Sequence, residues 1–240
     1  MSTCDSNSFN SAMFDSTKNS YIDKEGDEMF KHGIYYMNNN ENQFDIPKAL
    51  FWLTKAAEKK QVQAIKLLTN LYAGGNAFAI PFVDLSEYKD VHLYAKFAKM
   101  GADEGIPYCV FCMGNIYAHG DDSYEKNIRT AIEYWSKVIE LDAEQVKAIE
   151  KEAINNRTST YRAIVDSYRN IGSAYYNGDG IEEDMQKAIY YWERAALLGS
   201  RVATQNLITL YEDGEEIPKN ETKAKEWLHV LETNSTLIDL

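Results

Sequence analysis

The 240-residue chain is poor in several things, and each scarcity excludes something. Only 4 prolines interrupt it, while Ala, Leu, Ile, Glu and Lys recur. That balance favours long helices over a sandwich of short strands. No run of about 18 apolar residues occurs, so no membrane span is expected. The three cysteines, Cys4, Cys109 and Cys112, give no disulfide framework. Cys109 and Cys112 form a CxxC, but no second CxxC and no His at ligand spacing accompany it, so core thiols are expected rather than a metal site, and no cofactor. Lys and Arg form no cluster, and the net charge is -12. Nucleic acids and anionic membrane surfaces are therefore poor partners, whereas a basic partner would be steered toward the chain. The first twenty residues, rich in Ser, Asn and Thr, show no basic start followed by an apolar stretch. They read as a disordered leader over 1–22, not a secretory signal, and point to an intracellular, cytoplasmic protein. Without secretion the sequons at Asn156, Asn220 and Asn234 carry no meaning.

What is present is a repeat. Tyr175, Gly178, Ile181, Lys187 and Ala188 recur as Tyr211, Gly214, Ile217, Lys223 and Ala224, each 36 residues later. The same frame opens the chain: Tyr36 stands 13 residues before Ala49, as Tyr175 does before Ala188. Met113 to Gly120 repeats the pattern of Ile171 to Gly178. Two stretches are looser, this one and the one over 61–101, which has a long loop from Asn76 to Asp90 and whose end at Ala98 and Gly101 aligns with Ala196 and Gly199. A charged insertion at 141–160 suggests an extended helix on either side. The result is a repeat domain over 23–240 with five repeats, about 25–60, 61–101, 102–141, 160–199 and 200–235.

The spacing has physical content. Ala64/Leu68/Tyr72 and Ala203/Leu207/Tyr211 stack on one helix face at four-residue steps. Gly33, Gly114 and Gly172 recur in mid-helix, where Gly costs about 1 kcal/mol relative to Ala, so close helix crossing is expected. Gly75, Gly120, Gly178 and Gly214 follow the Tyr by three and read as left-handed helix ends. Asp45, Asp184 and Asn220 read as N-caps of the second helix, with Pro47 in its first turn. Ala49, Trp52 and Ala56/Ala57 form a core stripe. Trp227, Tyr191 and Tyr134 stand in the Trp52 slot, and truncating Trp52 or Trp227 is expected to cost roughly 3–5 kcal/mol if buried.

Ile171, Gly172, Tyr175, Gly178, Gly180, Ile181, Asp184, Lys187, Ala188, Tyr191, Ala195, Ala196 and Gly199 together resemble the Sel-1-like repeat, a relative of the tetratricopeptide repeat. The second repeat departs most, lacking the Gly-x-Gly turn and the Lys-Ala pair. The resemblance implies an all-α fold, a right-handed α/α superhelix or solenoid of about five helix-turn-helix repeats. It also implies an adaptor or scaffold that binds a protein or peptide on a concave face. By analogy with tetratricopeptide grooves, that face would carry Lys66, Asn70, Asn115, His119, Arg169, Ser173, Tyr176, Gln205, Thr209 and Glu212. No HExxH, phosphate loop or nucleophile elbow is present, so catalysis is the least favoured reading. Self-association through the last helix is an alternative.

Overall fold

The structure, a computed structural model, describes residues 24–37, 45–75, 85–143 and 160–238. The expected leader, Cys4 and most of the 141–160 insertion lie outside those residues. Among the described residues there are ten α-helices, one short 3-10 turn at Ser86–Tyr88, and no strand. The helices are α1 (Lys24–Met37), α2 (Ile46–Glu58), α3 (Val62–Tyr72), α4 (Val91–Asp103), α5 (Pro107–His119), α6 (Ile128–Ile139), α7 (Thr160–Asn177), α8 (Met185–Leu197), α9 (Arg201–Asp213) and α10 (Glu221–Ile238). No helix among the described residues is long and apolar enough to cross a membrane.

They pair in chain order: α1 with α2, α3 with α4, α7 with α8, and α9 with α10. α5 meets α6 where Gly114 lies against the Trp135 indole. The chain forms two compact units that part between Met113 and Gly114. In the first, α2 also packs on α3; in the second, α6 packs on α7 and α8 on α9.

One backbone device recurs in all five pairs. The second helix starts at Asp45, Asp90, Asn127, Asp184 or Asn220. Each of these donates its backbone N–H to the carbonyl of the first helix's Tyr (Tyr36, Tyr72, Tyr117, Tyr175, Tyr211) at 2.7–3.2 Å. Each also caps its helix, its side-chain oxygen accepting the N–H three residues on at 2.9–3.1 Å. Asp90 and Asn127 thus join the three caps legible in the sequence. The Lys of the Lys-Ala pair has a clear task. Lys48, Lys187 and Lys223 lie over the rings of Tyr36, Tyr175 and Tyr211 at 5.4, 4.8 and 4.9 Å. Lys48 and Lys187 also pair with the cap carboxylates of Asp45 and Asp184. An ammonium so placed satisfies a ring face and a helix cap together.

The mid-helix glycines make room for bulk. A Cβ on Gly33 would meet Leu53 at 2.7 Å, one on Gly114 would meet Trp135 at 2.4 Å, and one on Gly172 would meet Trp192 at 2.5 Å. These partners correct the expected anchors. Leu53, Trp135 and Trp192 are the buried residues, one position after the predicted slot. Trp52 and Trp227 are only half-buried. Steps of three and four both fall on the core-facing stripe, so an aromatic at step three looks as core-like in the sequence as the residue buried at step four. The step-three aromatics instead stack on the first helix's Tyr: Tyr72 on Phe97, Tyr117 on Tyr134 and Tyr175 on Tyr191, with centroids 5.6–5.9 Å apart.

Two further details differ from the sequence reading. Gly74, not Gly75, takes the left-handed conformation (φ 87°), because α3 ends at its Tyr whereas α5, α7 and α9 run two residues past theirs. The equivalent of Gly199 in the second repeat is Gly105, not Gly101. Gly105 and Gly199 both have positive φ, and the following residues, Ile106 and Ser200, donate N–H groups to Gly101 and Ala195. Gly101 and Gly105 stand one helical turn apart, the distance at which small residues on a helix imitate each other.

Candidate functional site

The position after the mid-helix glycine is where sequence and structure first meet over function. Asn115 and Ser173 occupy it, and both accept the indole N–H of the buried tryptophan: Trp135 donates to Asn115 Oδ1 at 3.2 Å and Trp192 to Ser173 Oγ at 3.4 Å. A buried indole needs such an acceptor. Asn115 Oδ1 also accepts from Asn170 Nδ2 at 3.1 Å, and the guanidinium of Arg169 donates to Asn170 Oδ1. Arg169 further pairs with Asp166 at 3.3 Å. Burial pushes the Asp166 carboxyl above its usual range, against the pull of Arg169 and Arg162. Asn115, Arg169 and Ser173 are therefore partly committed to holding the second unit together.

In the first unit Asn70 stands at the same register but is buried, giving an N–H to the Tyr108 hydroxyl at 3.2 Å. It is not the open surface position that the spacing suggested. α3 ends early, and Gly75 folds back so that its N–H reaches the Asn70 carbonyl. Lys66 is half-buried on the same helix. Cys109 and Cys112 are buried free thiols. Burial pushes Cys112 up to about 12 and Cys109 higher still, so neither supplies a thiolate near neutral pH. Cys109 fills the small-residue slot of Ala64 and Ala203, its sulfur lodged where Gly101 has no Cβ. Among the described residues, no group of three or more His, Cys, Asp or Glu could hold a metal ion.

The second unit carries a cleft of about 320 Å³ between α7 and α9. Three of the expected residues line it: Ser173, Tyr176 and Thr209. Its apolar wall is Tyr176, Trp192 and Leu210, with the two rings 5.2 Å apart and inclined at 41°. Its rim is acidic. Asp213 ends α9, Gly214 turns the chain at φ 72°, and Glu215 and Glu216 follow. The sequence signal was the run EDGEE at 212–216, which reads equally well as a solvated turn. Gln205 and Glu212 are exposed on α9 outside this cleft, and exposed His119 keeps a ring nitrogen 2.8 Å from the Asn115 carbonyl.

A second cleft of about 380 Å³ lies among Arg129, Glu133, Tyr175, Glu182 and Lys187. Its ring is already covered by an internal cation, since Lys187 lies over Tyr175 and pairs with Asp184.

Comparison with known proteins gives these features a common frame. The Sel1 repeat family model matches residues 29–60, 110–142, 165–200 and 203–229, a little over half of the chain. The second helix pair is the one left unmatched. The Sel1-repeat-containing protein YjcO of Escherichia coli (strain K12) is 28% identical over 190 residues, covering 78% of this chain and 70% of that protein. The uncharacterized protein YjcO of Shigella flexneri matches to the same extent. Among solved structures, a Sel1 repeat protein from Oxalobacter formigenes superposes with a TM-score of 0.64 at 20% identity, over 91% of this chain and 78% of that one. That likeness bears out the all-α helix-pair repeat fold.

Proposed function

The chain belongs to the Sel1 repeat family, a family of non-enzymatic repeat scaffolds that generally mediate protein–protein interaction, and on that premise we propose that it is an adaptor whose second unit holds a segment of a partner protein against α7 and α9. The observation that carries this reading is the cleft itself. Ser173, Tyr176 and Thr209 come from two successive first helices and share one concavity. Helix pairs that stack side by side present their first-helix faces in series, the geometry that suits an extended peptide. Lys66 in the first unit is a further contact candidate on the same reasoning. Affinity purification with intact protein and with a Tyr176→Ala/Thr209→Arg variant tests it, the variant's fold being checked by its far-UV dichroism and unfolding midpoint. Loss of a stoichiometric partner from the folded variant is expected. Equal recovery of every partner from both sinks the assignment.

One observation favours a second reading. Leu228 stands in the slot where other pairs bury Leu53, Trp135 and Trp192, yet it is 43% exposed. Such an apolar face on α10 could take a second copy of the chain. Light scattering across a hundredfold concentration range decides this: a constant monomer mass removes it.

A further inference from the structure

We propose that the cleft between α7 and α9 receives a cationic side chain, arginine in preference to lysine, from the partner segment. This deepens the adaptor reading and rests on it. The protein's own packing supplies the rule. At the Lys-Ala pairs that open a second helix, the ammonium lies over a tyrosine face (Lys48 on Tyr36, Lys187 on Tyr175, Lys223 on Tyr211), and in the first two it also pairs with a carboxylate, Asp45 or Asp184. The cleft offers the same two elements without an internal cation. Among the described residues no Lys or Arg lies over Tyr176, and no ion pair engages Asp213, Glu215 or Glu216. The second cleft provides the contrast, since Lys187 already covers its ring and neutralises its nearest carboxylate.

Arginine fits better than lysine for a physical reason. A guanidinium is planar and weakly hydrated, so it can lie on the Tyr176 ring while its edge donates two parallel hydrogen bonds to a rim carboxylate. The Ser173 hydroxyl accepts the Trp192 N–H, which leaves its own proton for a backbone carbonyl of the bound segment. The cleft volume, about 320 Å³, lies at the lower end of ligand sites, roughly 300–1,000 Å³, so it takes a side chain and its flanking backbone rather than a folded surface. The net charge of -12 adds long-range attraction for the same partner.

The test uses the full chain and capped nine-residue peptides of alternating Ala and Arg, Ala and Lys, or Ala and citrulline, at 150 mM salt. Citrulline keeps the shape of arginine and removes its charge. Binding is read from the indole N–H resonances of the four tryptophans, that of Trp192 being assigned with Trp192→Phe. The Arg peptide should move the Trp192 signal and leave that of Trp52 in place. It should bind at least roughly tenfold more tightly than the citrulline peptide, with the Lys peptide between. Tyr176→Leu, which keeps every charge, should weaken the Arg peptide by roughly fivefold. Glu215→Gln/Glu216→Gln should weaken it too, and these exposed residues leave the core untouched. Glu182→Gln/Glu183→Gln removes the same charge elsewhere and should have little effect. Equal binding of the citrulline peptide, or equal loss in both glutamine pairs, overturns the proposal. If the Arg peptide fails while the Tyr176→Ala/Thr209→Arg variant still loses its partner, the cationic ligand is wrong and the adaptor face stands. If that variant loses nothing, the adaptor reading falls first.

Discussion

The second and fourth helix pairs solve one packing problem with bulk placed on opposite sides. In the fourth, Gly172 on α7 receives Trp192 from α8. At the same registers the second pair has Thr69 on α3 and Ala98 on α4, both fully buried. Both pairs keep the backbone bond from the cap to the Tyr carbonyl, and both keep the stacked ring beside it (Tyr72 on Phe97, Tyr175 on Tyr191). The repeat is thus defined by a backbone tie and a filled volume, and which helix supplies the filling side chain differs between pairs. This explains why the second pair escapes a family pattern written in residue identities.

The comparison can be broken most forcefully at its largest side chain. Trp192→Ala should lower stability by roughly 3–5 kcal/mol, whereas Trp52→Ala, at a half-buried position, should cost only about 1–2 kcal/mol. Chemical denaturation of the two variants ranks them, and equal losses would mean that the buried slot is misplaced by one residue. A finer test transplants the second pair's solution into the fourth. Gly172→Thr alone should cost about 1–3 kcal/mol through overlap with the indole. Combined with Trp192→Ala it should cost less than the two single losses added, with a favourable coupling of about 1 kcal/mol or more. Strict additivity would show that the two registers do not share a volume.

How much of this was legible depended on whether a residue's role showed in its own identity. The five pairs, their Tyr registers and three of the caps could be read, because Gly, Tyr, Asp and Lys recur at fixed spacing. The burial of Leu53 rather than Trp52 could not, since it turns on a rotation of about 100° between neighbouring positions on one stripe. The cleft was half-legible. Ser173, Tyr176 and Thr209 follow from helix register, but Trp192 reads as core, and the acidic rim reads as an ordinary turn. Asn70 failed because an early helix end buried it, and no residue type announces that.

The junctions between repeats sharpen the comparison next. Gly199 has φ 92°, and none of the described residues comes within 4 Å of where a Cβ would stand. Gly199→Ala therefore reads backbone strain alone and should cost about 1–2 kcal/mol. Ser167 gives an effect of opposite sign. It occupies the slot of Ala64 in the second pair and Ala203 in the fifth, fully buried, and among the described residues its hydroxyl has no hydrogen-bond partner. Ser167→Ala should raise stability by about 1 kcal/mol, since the hydroxyl is desolvated without compensation. A loss on this substitution would mean that the hydroxyl is satisfied by ordered water.

The smallest effect lies at the junction of the first two pairs. Lys60 stands where the second and fourth pairs place Gly105 and Gly199, and it holds the same left-handed backbone at φ 61°. The N–H groups of Lys60 and Gln61 still close the helix end on Ala57 and Ala56, so the turn forms despite the side chain. Its ammonium pairs with Glu104 at 2.7 Å, but on an exposed surface such a pair offsets little. Lys60→Gly should relieve the strain at the cost of a more mobile unfolded chain, leaving a rise of about 1–3 °C in Tm. Scanning calorimetry at 0.15 M and 1 M salt separates the two contributions, because salt screens the ion pair and leaves backbone strain alone. If the wild type is the more stable at low salt and the order reverses at high salt, Lys60 is kept for its bridge to Glu104, and this junction is held by charge where those after the second and fourth pairs are held by glycine.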